Sequence, residues 1–146
     1  VPADAKIPAT QLGPVILIGC RIPPKCLHMT QRRMLYVETY WQIQEATSMN
    51  CFFFMTGVPR RECRMPDFGA SMGHEGCDWM WPTNRWKPGI IYRERFGLRP
   101  PAIREIVNTD LRLEIRVKAG DTVYGPYAYP QNIQLRFPGI PHYQND

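Results

Sequence analysis

The sequence predicts an all-β protein, an antiparallel immunoglobulin-like β-sandwich of about seven strands with one long loop insertion. Three observations predict it. Short segments alternate apolar and polar residues with a period of two, most clearly where Leu111, Leu113, Ile115 and Val117 alternate with Arg112, Glu114, Arg116 and Lys118. Fifteen Pro and 11 Gly among 146 residues punctuate the chain too densely for a helical bundle. The only helical signal is a single turn at residues 101–108. Half-apolar strands of this kind hide their inward rows by pairing two sheets face to face.

The elements follow in order. Residues 1–14 hold three Pro and no periodicity, which predicts an extended N-terminal arm. A short apolar strand covers 15–20. Residues 33–42 alternate, with Leu35, Val37, Thr39 and Trp41 on one face and Met34, Tyr36, Glu38, Tyr40 and Gln42 on the other. Residues 50–56 (NCFFFMT) are apolar on both faces, as in a central covered strand.

Residues 57–88 form the long loop; its part from 57 to 85 holds four Gly, three Pro and two Cys. Loops beyond about 15 residues inside a compact domain are usually functional or crosslinked. Residues 89–98 then put Ile90, Tyr92, Phe96 and Leu98 on one side, with Glu94 as a polar exception, before Arg99-Pro100-Pro101 stops the strand. The strand at 111–118 turns at Lys118-Ala119-Gly120-Asp121 into a short strand at 122–124. A last strand at 132–137 points Ile133, Leu135 and Phe137 inward, and 138–146 is an irregular tail. The sandwich thus spans 15–137.

The formal charge is +5, and 14 of the 18 cations are Arg. They are scattered along the chain beside carboxylates, as in Arg93-Glu94-Arg95, rather than gathered on one arm. That distribution argues against nucleic acid and for a mildly basic solvated surface, with anionic headgroups or an acidic partner as the competing reading. No apolar run exceeds a few residues, far short of the ~20 of a spanning helix, so any membrane contact is expected to be peripheral. The chain opens on Val1, as it would after a removed signal or anchor, or at a domain boundary. Five Cys in 146 residues favour an oxidising, extracytoplasmic compartment. Fifteen arrangements of two bridges are open to five Cys; the favoured pairings are Cys63 with Cys77 and Cys20 with Cys26, leaving Cys51 buried. Five reduced structural thiols are the alternative.

The HExxH and GxxxxGK[ST] signatures are absent, and Asp67, Glu75 and Asp78 read as solvated loop carboxylates. The expectation is a protein without enzymatic activity, cofactor or metal. The one crowding of ligand types, His74-Glu75-Gly76-Cys77-Asp78, lacks the paired spacing of a zinc site. Met65, Met72 and Met80 lack the close repeats of a copper site and read as loop packing. Aromatic residues are the stronger signal. Trp79, Trp81, Trp86 and Tyr92, with Tyr127 and Tyr129 further on, are candidates for contact with a protein or a sugar ring. For Trp86, packing into the sandwich core is favoured over surface contact.

In this order the motifs resemble the β-sandwich domains appended to the extracytoplasmic end of bacterial multi-spanning glycosyltransferases, and related cell-envelope domains. The matching pieces are VILIGCRIP (15–23), MLYVETYW (34–41), CFFFMTG (51–57), PTNRWKPG (82–89), IYRERFGLRPP (91–101) and DLRLEIRVKAGDTV (110–123). The likeness spans about residues 15–125, and PTNRWKPG is its most specific part. The loop before Pro82 is longer than in those domains, and the cysteines lie outside their pattern. The resemblance implies a sandwich fold and an extracytoplasmic address, and no catalytic residue. The expected function is an accessory or scaffold subunit of a membrane-associated complex, docking on other protein subunits through the Trp79 to Trp86 loop. A carbohydrate-binding module is the alternative, and a periplasmic metal-handling protein the second.

Overall fold

The clearest alternation in the sequence becomes the longest strand of the molecule. The computed structural model describes residues 1–29, 35–60, 67–68, 74–75, 82–98 and 107–137. Among these the strands are β1 (Lys6–Leu12), β2 (Val15–Arg21), β3 (His28–Met29), β4 (Leu35–Gln42), β5 (Phe52–Pro59), β6 (His74–Glu75), β7 (Tyr92–Leu98), β8 (Val107–Ala119), β9 (Thr122–Ala128) and β10 (Ile133–Phe137). One sheet has the order β1-β2-β4-β7, and the other β3-β10-β8-β5-β6, with β9 beside β8. Neighbours run antiparallel except the two-residue β3, which pairs in parallel with β10. The expected all-β sandwich is formed, and the described residues contain no α-helix. The strands exceed seven because β1 and the two-residue β3 and β6 join the sheets.

β8 is the spine of its sheet. β5 pairs along one edge, and β9 followed by β10 pairs along the other. Its inward row, Leu111, Leu113, Ile115 and Val117, is 0 % exposed. Ile133 and Leu135 of β10 join it, and Leu17 of β2 with Leu35 and Val37 of β4 complete one core from the opposite sheet. Each such side chain contributes roughly 1.5–3 kcal/mol by leaving water.

Several expectations are corrected. The 1–14 arm is not free of structure: β1 pairs with β2 through Leu12 and Val15, and Pro8 is tolerated because β1 is an edge strand. Residues 1–5 lie on the outer face of that sheet, where Ala5 is fully buried. β4 is consequently covered on both faces toward its end, and Glu38 and Tyr40, expected outside, are buried. β5 is less covered than expected: Phe53 and Met55 are buried, but Phe52 and Phe54 only half so. The strand expected to end at 56 continues to Pro59. The following loop is tied back to it, since Gly57 and Phe68 exchange backbone hydrogen bonds of 2.8 and 3.1 Å and β6 pairs with Phe52 and Phe53. β9 runs to Ala128, beyond the expected 124. The turn expected at 101–108 begins outside the described residues, and the residues from 107 belong to β8. The tail at 138–146 lies outside them too.

The expected disulfide between Cys20 and Cys26 is not formed. Cys20 sits in β2 opposite Thr39, Cys26 in the 3-10 turn Pro24–Leu27, and both side chains pack into the apolar core. Burial pushes the Cys20 thiol up to about 12, which keeps it protonated and unreactive. Cys51 is a buried thiol, as expected of the cysteine left over. Cys63 and Cys77 lie outside the described residues.

Candidate functional site

The aromatic candidates separate into three groups. Trp79 and Trp81 fall outside the described residues. Trp86 is core: it is 2 % exposed, in line with the favoured reading, and so offers no face to a protein or sugar. Its indole stacks on Tyr92 at 4.3 Å with the planes 6° apart, and on Phe53 at 6.0 Å. Phe53 in turn meets Trp41 edge-on at 4.7 Å. The Trp86–Tyr92 pair spends its facing surfaces on itself, so Tyr92 is no open platform either. Tyr127 and Tyr129 are half-buried against the core. Burial, with smaller contributions from Cys20 and Tyr129, pushes the Tyr127 hydroxyl up to about 12. Burial raises Tyr129 as well, against a backbone hydrogen bond at Ile22 that acts the other way. These two rings close β9 onto β2.

Hydrogen bonds fix the loops around this stack. The backbone N–H of Cys51 donates to Thr83 Oγ1 at 2.7 Å, and Thr83 Oγ1 donates to the Met49 carbonyl at 2.9 Å. Thr83 opens the 3-10 turn Thr83–Arg85, and Trp86 N–H donates to the Thr83 carbonyl at 3.1 Å. The Lys87 N–H donates to the Tyr92 hydroxyl at 2.9 Å. The 43–51 and 82–91 loops are therefore locked together at one pole of the sandwich.

What that pole presents is apolar. Met49, Ile90, Ile91, Val123 and Tyr124 are 47 %, 45 %, 49 %, 54 % and 36 % exposed. Met49 lies over Gly120 of the β8–β9 turn, and the Tyr124 ring covers Gly13 of the β1–β2 turn, so all these side chains belong to loops or strand ends of one pole. The sequence reading missed Ile90, which it placed on the inward row with Tyr92. β7 begins only at Tyr92, and the Lys87-Pro88-Gly89 run is the signal that places Ile90 in a turn rather than a strand.

Polar groups are arranged differently. Glu94, the exception in the inward row of β7, is indeed buried there, 3 % exposed, opposite Thr39. Thr39 Oγ1 accepts from Trp41 Nε1 at 2.7 Å and donates to the Glu94 carbonyl at 3.1 Å. At the other pole a cleft of ≈ 360 Å³ is lined by Val58, Arg60, Asp110, Arg112 and Asn132, among others. Its Arg112 is held by Glu114, whose carboxylate takes 2.8 Å hydrogen bonds from both Arg112 Nε and Arg116 Nη2. Among the described residues no group of three or more His, Cys, Asp or Glu is placed to hold a metal. The side chains of the His74 to Asp78 segment lie outside the described set. No described helix is long and apolar enough to cross a membrane.

No protein-family model matches the chain, and no curated protein matches it.

Proposed function

We propose that the protein is a non-enzymatic docking module, an accessory or scaffold subunit of an extracytoplasmic, membrane-associated complex. The observation that carries this reading is the apolar pole. Soluble surfaces expose single apolar side chains freely, but grouped ones mark contact sites. Here Met49 of the hydrogen-bonded 43–51 loop shares one pole with Val123 and Tyr124 at the start of β9. A rigid apolar surface loses little conformational entropy when a partner covers it, which favours docking. The extracytoplasmic address is supported by the resemblance carried on PTNRWKPG. The cysteines support it less than expected, because Cys20 and Cys26 are not bridged.

The carbohydrate reading is weaker by two rings, since Trp86 and Tyr92 stack on each other. Co-purification from the native membrane fraction tests the docking reading. A defined protein subunit should accompany the wild-type chain and be lost from a Met49→Glu, Val123→Glu variant that folds normally. Retention of the subunit by that variant would remove the pole from the interface. Retention by Trp79→Ala, Trp81→Ala would separately remove the loop tryptophans.

A further inference from the structure

The 82–91 loop has the build of a membrane-surface finger. Its base is rigid: Trp86 and Tyr92 stack face to face at 4.3 Å, and the Lys87 N–H is bonded to the Tyr92 hydroxyl at 2.9 Å. Its tip is a turn through Pro88 and Gly89. Gly89 has φ +84°, a backbone setting that glycine adopts without a side-chain clash, and a β-carbon built there would meet nothing within 4 Å. At Gly89 the tip therefore stands clear of the other described residues. Directly after it come Ile90 and Ile91, 45 % and 49 % exposed. They are consecutive, yet both face solvent, because the strand that would hide one of them starts only at Tyr92.

Charge selects the occupant. Between residues 82 and 93 the only ionised side chains are Arg85, Lys87 and Arg93. All three are exposed; the exposed carboxylates of the same pole, Glu45 and Asp121, belong to the neighbouring 43–51 loop and β8–β9 turn. An apolar tip ringed by cations suits the boundary of an anionic bilayer, where apolar side chains reach the acyl edge and Lys or Arg meets the phosphates. We infer that this loop docks on an anionic lipid surface, with Ile90 and Ile91 inserted and Arg85, Lys87 and Arg93 on the headgroups. The inference rests on the same apolar pole as the protein-docking reading, but on Ile90 and Ile91 rather than Met49, Val123 and Tyr124, so each fails by its own variant.

Sedimentation of the full chain with phosphatidylcholine vesicles, with and without phosphatidylglycerol, tests it. Wild type should bind the anionic vesicles, release them as salt is raised, and ignore the neutral ones. Ile90→Asp with Ile91→Asp should weaken binding about tenfold or more, since both the apolar contact and the local charge balance are lost. Lys87→Glu should weaken it about fivefold or more. Near-ultraviolet circular dichroism of the Trp86–Tyr92 stack checks that each variant is folded. Absence of binding to anionic vesicles at low salt overturns the inference. So does equal binding to neutral vesicles, or wild-type binding by the folded isoleucine variant.

Discussion

Two outer faces of the sandwich each hold a buried glutamate paired with arginine, and they are built in opposite ways. On β8, Glu114 sits between Arg112 and Arg116, two residues away on either side of the same strand. On β4, Glu38 accepts a 2.6 Å hydrogen bond from Arg21 of β2, and Arg21 reaches on to Asp4 at 3.2 Å. The first arrangement is local: a buried Glu114 flanked by arginines of its own strand that remain partly exposed. The second joins three segments, and residues 1–5 lie over it. The lesson is that a period of two reports burial by the facing sheet only; what covers the other face comes from elsewhere in the chain.

Arg21 shows the consequence. Its guanidinium is shared between Asp4 and Glu38, while its Nε is buried without a hydrogen-bond partner. The hydrogen bonds it donates to Asp4 and Glu38 raise its pKa further, so it stays a cation throughout the accessible pH range. Beside it, Tyr40 donates to Glu38 Oε2 at 3.4 Å. The face behaves as a second, small core whose lid is the N-terminal segment.

The largest expected effect tests that claim. Tyr40→Ala should cost about 2–4 kcal/mol, the scale of a core deletion, although Tyr40 points away from the sheet interface. Chemical denaturation reads it directly, and a loss below 1 kcal/mol would return β4's outer face to the ordinary surface class. Gly19→Ala comes next. A β-carbon there would stand 2.9 Å from Val1 Cγ1 and from the Tyr40 ring. Overpacking of this sort costs about 1–3 kcal/mol, and it should push the N-terminal residues off the sheet. Faster amide exchange at residues 3–6, with β8 unaffected, is the expected signature.

The smallest effect belongs to β8. Arg116→Ala should cost about 1 kcal/mol, one hydrogen bond to a part-buried carboxylate, since Glu114 keeps its bond from Arg112. Burial would raise the Glu114 pKa, but the hydrogen bonds from Arg116 and Arg112 outweigh it and hold the carboxylate below its ordinary value. A depressed folded pKa contributes stability above the unfolded value and loses it as pH falls through the folded one. An acid titration of stability should therefore show a step below the ordinary glutamate range that flattens in Arg116→Ala. Identical acid profiles for the two proteins would detach Glu114 from its arginines.

Much of this was legible. The inward row of β8, and Ile133 and Leu135 of β10, could be read residue by residue, because the apolar positions there recur every second residue; the Phe137 side chain lies outside the described residues, and Glu114, expected outside, is buried. Trp86 could be assigned to the core because it follows a Pro-bounded turn and precedes a strand. Ile90 was misplaced because alternation alone cannot say where a strand begins, and the turn at Gly89 shifts that start to Tyr92. The pairing of β1 was hidden by Pro8 and Thr10, which erase the pattern of an edge strand. Cys20 and Cys26 are near in sequence, but proximity along the chain does not orient two thiols toward each other.

The sequence by itself therefore determined the class of fold, the inward rows of its long strands and the place of the one unusual loop. These follow from local chemistry, since period-two burial and turn residues act within a few positions. Only the tertiary structure decided that residues 1–5 close the outer face of β4 and that Trp86 and Tyr92 spend their faces on each other. It also decided that the exposed apolar groups meet at one pole. Each depends on segments tens of residues apart, brought together by packing that no local pattern encodes.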